Sequence, residues 1–117
     1  MDIRDLVHAL LSGDLLAARQ WVSDARRSAF VWETLHMPAG LSDLEMSVAA
    51  GVAELLAGRS GSHAPSWTAA VGGQPQPVFL DPGIETMPRT LARAKRDAPE
   101  ALRKRNLFAT ADFLDVR

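Results

Sequence analysis

Apolar side chains recur at helical spacing in the first quarter of the chain. They fall at i, i+3, i+4, i+7 and i+8, which places them on one face of a helix. The members of this stripe are Ile3, Leu6, Val7, Leu10 and Leu11. A second stripe follows Ser-Gly-Asp at 12–14, where Gly13 can adopt positive φ and Asp14 can cap a new helix. The pattern predicts a helical hairpin over residues 1–28.

The segment 42–57 carries the clearest helix signals. Ser42 and Glu45 have the spacing of a capping box, in which each side chain accepts a hydrogen bond from the other residue's backbone amide. From Val48 to Ala57 the only polar side chain is Glu54. A helix that is apolar nearly all round belongs at the centre of a domain. We therefore predict a central helix over about 43–57.

Two glycines refine this prediction. Gly51 lies on the same helical face as Leu44, Val48 and Leu55, and would let another helix approach closely. Gly58 is expected to end the helix as its C′ residue.

The amino-acid composition changes over residues 58–85, and we expect this segment to connect the helices. Nine of the 26 positions from 58 to 83 are Gly or Pro. Each proline disfavours helical backbone at the residue before it, so this segment should cross the domain in extended form. A short strand at Val78, Phe79 and Leu80 is possible but would lack a partner.

Helix signals return over residues 86–106, which we predict to form a basic helix pair. Thr86 is a candidate cap, and Pro88 suits a first helical turn. The spacing of Asp97 and Glu100 is that of a second capping box, with Pro99 inside it, so a break is expected there. Residues 107–117 form an apolar tail.

These elements predict the fold class. A chain of 117 residues can bury a core of its own, and 47% of its residues are apolar. We expect an all-α fold: a single compact domain, residues 1–117, with four to five helices around the central one and a Pro/Gly-rich extended crossing segment.

Composition limits the chemistry. There are no cysteines, which removes disulfides, iron–sulfur clusters and thiolate zinc sites. The three histidines have no metal-ligand spacing, so neither a metal nor another cofactor is expected. Asp5, His8 and Ser12 imitate a catalytic triad, but they share one solvated helix face without an oxyanion hole. We therefore expect no enzyme. The start of the chain lacks the pattern of a signal peptide, which favours a cytoplasmic location.

Charge is distributed unevenly. The net charge is −1, yet residues 1–85 carry five bases and ten acids, whereas residues 86–108 carry seven bases and two acids. The basic stretch Arg89–Arg105 has three interpretations: a solvated helix face, a nucleic-acid patch, or a surface for a protein partner. The apolar tail beside it favours a protein partner or homo-oligomer over nucleic acid, unless the tail folds back on its own core.

Trp32 is the tryptophan that we expect to be exposed, because Trp21 lies on the core stripe and Trp67 follows a helix start in a loop. The candidate partner-binding residues are Arg89, Arg93, Arg96, Arg103, Lys104, Arg105, Phe108, Phe113 and Trp32.

The last fifty residues carry a progression of short motifs. These are Trp67-Thr68 with Val71-Gly72, Pro77 with Phe79-Leu80, Met87-Pro88-Arg89, and Leu102-Arg103-Lys104-Arg105 with Leu107-Phe108-Ala109. The progression resembles a group of small uncharacterised bacterial proteins that are partners in toxin–antitoxin-like pairs. The resemblance implies a protein-binding role, as the antitoxin-like partner of a toxin of nucleotidyltransferase type. The function expected from the sequence is therefore a non-catalytic interaction protein, and the alternative is a DNA- or RNA-binding protein.

The capping box yields a first prediction. Ser42→Ala should lower the free energy of unfolding by about 1 kcal/mol, because the amide of Glu45 loses its acceptor. Urea unfolding measures this change, and Ser42→Asp, which keeps a side-chain acceptor, is the control. Equal stability of the alanine variant and the parent would contradict the box.

Overall fold

The computed structural model describes residues 1–81 and 83–115. These residues form one mostly helical globule with five helices and a two-stranded parallel sheet. The helices are α1 (Ile3–Leu11), α2 (Leu15–Arg27), α3 (Asp43–Arg59), α4 (Pro88–Asp97) and α5 (Glu100–Arg103), and the strands are β1 (Val78–Phe79) and β2 (Leu107–Phe108). Three short 3₁₀ segments lie at Trp32–Thr34, Ser66–Ala70 and Ile84–Thr86. The predicted fold class is confirmed. No helix in the described part is long and apolar enough to cross a membrane.

The N-terminal hairpin forms as its caps predict. Asp2 accepts a hydrogen bond from the amide of Arg4, and Asp14 accepts one from the amide of Ala17. Gly13, with φ of +77°, makes the turn between α1 and α2. The apolar stripe of α1 packs against α2 and α3, although Leu11 at its end is 37% exposed, and the buried side chains of α2 join the same core.

The central helix α3 begins with both hydrogen bonds of the capping box. The amide of Glu45 donates to Ser42 Oγ at 3.2 Å, and the amide of Ser42 donates to Glu45 Oε1 at 2.9 Å. The prediction that Gly58 ends the helix is wrong. The helix continues to Arg59, and Gly61 is the residue with left-handed backbone, at φ of +70°.

Gly51 allows the close approach that the sequence predicts. A Cβ at this position would lie 3.0 Å from Leu102 Cδ2 and 3.3 Å from Leu107 Cδ1. Both leucines are fully buried. The helix α5 and the strand β2 therefore pack directly on the middle of α3.

The prediction that a strand at Val78, Phe79 and Leu80 would lack a partner is wrong, because the crossing segment pairs with residues that follow α5. Val78 pairs with Leu107 and Phe79 with Phe108 in parallel register. The pairing extends beyond the strands: Gln74 N donates to Arg105 O at 2.9 Å, and Thr110 N donates to Asp81 Oδ2 at 2.9 Å. Hydrogen bonds thus join the segment 74–81 to the segment 105–110.

The basic helix pair is present but starts differently from the prediction. Thr86 does not cap α4, because its hydroxyl donates to the carbonyl of Gly83 and Met87 occupies the cap position. Pro88 lies in the first turn, as expected. The break falls at Ala98, whose extended backbone precedes Pro99. The second capping box does not form, since Asp97 bonds Arg96 instead.

The expected exposure of Trp32 is wrong. Its side chain is only 4% exposed and lies in an aromatic cluster with Trp21 and Phe30, at ring-centroid distances of 6.0 and 5.0 Å. The tail also folds back on the core: Leu107, Phe113 and Leu114 are buried. Burial of these apolar side chains removes them from water and stabilises the globule.

Two neighbouring glycines provide a matched test of the close approach between the crossing segment and Arg105. A Cβ at Gly73 would lie 2.5 Å from the Cα of Arg105, whereas a Cβ at Gly72 would meet no atom within 4 Å. Gly73→Ala should therefore lower the free energy of unfolding by about 2 kcal/mol or more, because backbone must move. Gly72→Ala should change it by less than about 0.5 kcal/mol. Urea unfolding of both variants measures these changes in the free energy of unfolding. Equal changes in the two variants would contradict the close approach of Gly73 to Arg105.

Candidate functional site

The exposed side of α4 presents three arginines. Arg89, Arg93 and Arg96 are spaced four and three residues apart and are all exposed. They lie opposite Ala94, which is fully buried and fixes the inner face of the helix. The sequence spacing predicts this arrangement.

The helix α5 adds Arg103 to the same region, and the exposed Lys104 follows it in the turn after α5. Arg103 Nη1 donates to the backbone carbonyl of Arg96 at 3.0 Å, which ties the end of α5 to the end of α4. We call the exposed residues Arg89, Arg93, Arg96, Arg103 and Lys104 the basic surface.

Asp97 lies among three of these arginines. Arg96 donates to both of its carboxylate oxygens at 3.0 Å. These bonds lower the pKa of Asp97, and the charges of Arg93 and Arg103 lower it further. The cluster of Arg93, Arg96 and Arg103 around one carboxylate thus keeps a positive balance. Because the Arg96–Asp97 pair is solvent-exposed, it contributes little to stability.

Arg105 does not belong to the basic surface, although the sequence places it there. It is 3% exposed, and its guanidinium donates to both carboxylate oxygens of Glu54, at 2.7 and 3.0 Å. It also donates to the carbonyls of Ala101 and Thr68. The pairing removes the charge of Arg105 from the surface and places it in the interior.

Glu54 is the partner that sequence analysis overlooked. Its side chain also accepts a bond from Lys104 Nζ at 2.8 Å. Burial by itself raises the pKa of Glu54, but the bonds from Arg105 and Lys104 outweigh it and bring the pKa to about 2. The signal was available, since Glu54 is the lone acid on an apolar stretch of helix and such a group needs a partner.

The aromatic candidates lie inside the molecule. Phe113 is 3% exposed, and Trp32 belongs to the aromatic cluster described above. Phe108 is half-buried with its ring centroid 5.9 Å from that of Phe79. The ammonium of Lys95 lies over the ring of Phe79, 6.0 Å from its centroid. The structure therefore brings together the bases of α4 and α5 but separates them from Trp32 and Phe113.

The triad-like residues of α1 do not form a relay. His8 Nε2 lies 3.1 Å from Glu45 Oε2, and Ser12 Oγ donates to the carbonyl of Ala9. Across residues 1–81 and 83–115, no group of three or more His, Cys, Asp or Glu side chains could hold a metal ion.

No family model, curated protein or solved structure matches the chain. Function is therefore inferred from the charges and contacts of the described residues.

The buried ion pair gives a pH-dependent prediction. Glu54→Gln should lower the free energy of unfolding at pH 7 by on the order of 3 kcal/mol, because Arg105 loses its counter-charge in a buried position. The pKa of Glu54 is depressed in the folded protein, so its stabilising effect is present above the ordinary carboxyl pKa and disappears as the pH falls toward about 2.

Urea unfolding of the parent and the variant from pH 7 down to pH 2 checks both claims. The difference between them should shrink as the pH falls. Glu85→Gln, at an exposed acid in the 3₁₀ segment before α4, is the control and should leave stability nearly unchanged. A constant difference at every pH would contradict the role assigned to the Glu54 carboxylate.

Proposed function

We propose that this protein is a non-catalytic interaction protein whose basic surface binds an acidic surface of a protein partner. The observation that carries this proposal is the bond from Arg103 Nη1 to the carbonyl of Arg96, which joins α5 to the exposed arginine face of α4 beside Asp97. Arginines in such a cluster can form bidentate bonds with further carboxylates. Complementary charge would guide the partner to the surface and fix its orientation.

The surroundings of the cluster favour protein over nucleic acid. Binding of single strands relies on exposed aromatic rings for base stacking. Among the described residues, the large apolar side chains with high exposure include no aromatic one. They do include Met87, 48% exposed at the start of α4. Met and Arg are both enriched at protein–protein interfaces.

The resemblance seen in the sequence suggests the class of partner. The resemblance supports, as this partner, a toxin of nucleotidyltransferase type that is encoded beside this protein. The mechanism would be occlusion, in which α4 and α5 cover an acidic region of the toxin. Phe113, Trp32 and Arg105 take no part in the proposed contact, because each is buried within its own chain.

A DNA- or RNA-binding role for the same residues is the alternative. It draws on the same five exposed bases and makes a distinct prediction. Each phosphate contact would lower log affinity by about 0.9 units per unit of log salt concentration, so five contacts would give a slope near −4.5 with a DNA duplex.

Neutralising the cluster tests the proposal. The triple variant Arg93→Gln, Arg96→Gln, Arg103→Gln should bind the product of the neighbouring gene at least about tenfold more weakly than the parent, because the charged contacts are lost. Isothermal titration calorimetry measures the affinity. If the neighbour arrests growth, co-expression of the parent should relieve the arrest and the variant should not.

The matched control is Arg4→Gln, Arg19→Gln, Arg27→Gln, which removes the same charge from exposed positions on α1 and α2. It should bind as the parent does. Equal binding by the cluster variant would overturn the proposed surface. Absence of binding to the neighbour, together with a steep salt dependence on DNA or RNA, would replace the proposal with its alternative.

A further inference from the structure

A cavity of about 770 Å³ opens between the C-terminal ends of α2 and α3 and the tail. Its volume falls within the range of about 300–1,000 Å³ that is typical of small-molecule sites. None of the residues of the basic surface lines it. The cavity is therefore a separate feature of the molecule.

Part of its wall is apolar, and polar atoms provide about as much of its surface. Trp32, Leu56 and Leu114 line it and are each at most 4% exposed. Phe30 adds an aromatic ring that meets the ring of Trp32 edge to face at 5.0 Å. Val31, 56% exposed, lies at the rim. This apolar part of the wall is suited to an aliphatic chain or a ring.

Arg59 supplies a cation at the edge of this apolar space. Its guanidinium donates to the carbonyl oxygens of Phe113 and Ala111, which are neutral acceptors. A guanidinium has five N–H donors, so these two bonds leave others for a ligand. Burial lowers the pKa of Arg59, while the negative charges of Asp115 and Asp112 oppose that effect.

The charges that line the cavity limit the ligand. Among the described residues they are two cations, Arg26 and Arg59, and one anion, Asp115, with a balance of +1. A monoanion is compatible with this balance. A dianion such as a phosphate monoester would be repelled by Asp115, and Asp112 acts in the same sense on Arg59.

We propose that the cavity binds a small amphipathic monocarboxylate, with its apolar part against Phe30, Val31 and the edge of Trp32 and its carboxylate on Arg59. Two parallel N–H···O bonds from a guanidinium match the geometry of a carboxylate. The apolar contact supplies affinity and the arginine supplies selectivity for the acid. This inference is independent of the proposed partner-binding function.

Octanoate is a suitable probe, because Trp32 in the wall reports its arrival. Titration into the full-length protein should change the intrinsic tryptophan fluorescence saturably. Octanol, which has the same chain length without the charge, should bind about tenfold more weakly, since it cannot form the charge-assisted pair. The absence of a saturable change with either compound would overturn the site. Equal affinities would overturn the role of Arg59.

Substitution at the exposed rim localises the binding without disturbing the core. Val31→Asp should weaken octanoate binding by about tenfold through like-charge repulsion, and the nearly isosteric Val31→Thr should leave it unchanged. Arg59→Gln should weaken octanoate but not octanol, although this variant also loses contacts to the tail. The cluster variant at Arg93, Arg96 and Arg103 should bind octanoate as the parent does. Unchanged binding in Val31→Asp, or loss in the cluster variant, would place the carboxylate elsewhere.

Discussion

Arg105 connects the C-terminal third of the chain to the rest of the molecule. Its guanidinium bonds Glu54 on α3 and the carbonyl of Thr68, while its backbone carbonyl accepts the amide of Gln74. Its Cα lies so close to Gly73 that no side chain fits between them. One residue thus joins the central helix, the 3₁₀ segment Ser66–Ala70, the crossing segment and the end of α5. Removing one partner of a buried ion pair is strongly destabilising, so this junction constrains four segments together.

The junction also determines how the basic surface is displayed. The helix α5 is held on α3 through Leu102 against Gly51, and the end of α5 holds α4 through the bond from Arg103 to the carbonyl of Arg96. The buried charge of Arg105 fixes the scaffold, whereas Arg103 at the end of α5 stays exposed. A surface held in a fixed geometry before binding loses less conformational freedom when a partner arrives.

The two candidate binding features have different physical character. The basic surface is exposed and charged, so its interactions depend on complementary charge and are weakened by salt. The cavity combines apolar side chains with a cation at its edge, so burial of apolar surface and a charge-assisted bond both contribute there. The tail contributes to the cavity through Leu114, and the carbonyls of Phe113 and Ala111 hold Arg59 in place. Phe113 and Leu114 therefore have their role within the protein's own fold.

The sequence by itself determined where the helices lie. The caps at Asp2, Asp14 and Ser42, the turn at Gly13 and the break before Pro99 all act within a few residues, and local chemistry suffices to specify them. The sequence also determined that the arginines of α4 share one exposed face, because helical spacing alone places them there. Only the tertiary structure decided the pairing of β1 with β2, the burial of Trp32 and the union of Glu54 with Arg105. The strand pairing and the ion pair join segments that are distant along the chain, such as positions 54 and 105, and no local preference encodes such contacts. The burial of Trp32 depends on how α2 and α3 pack around it.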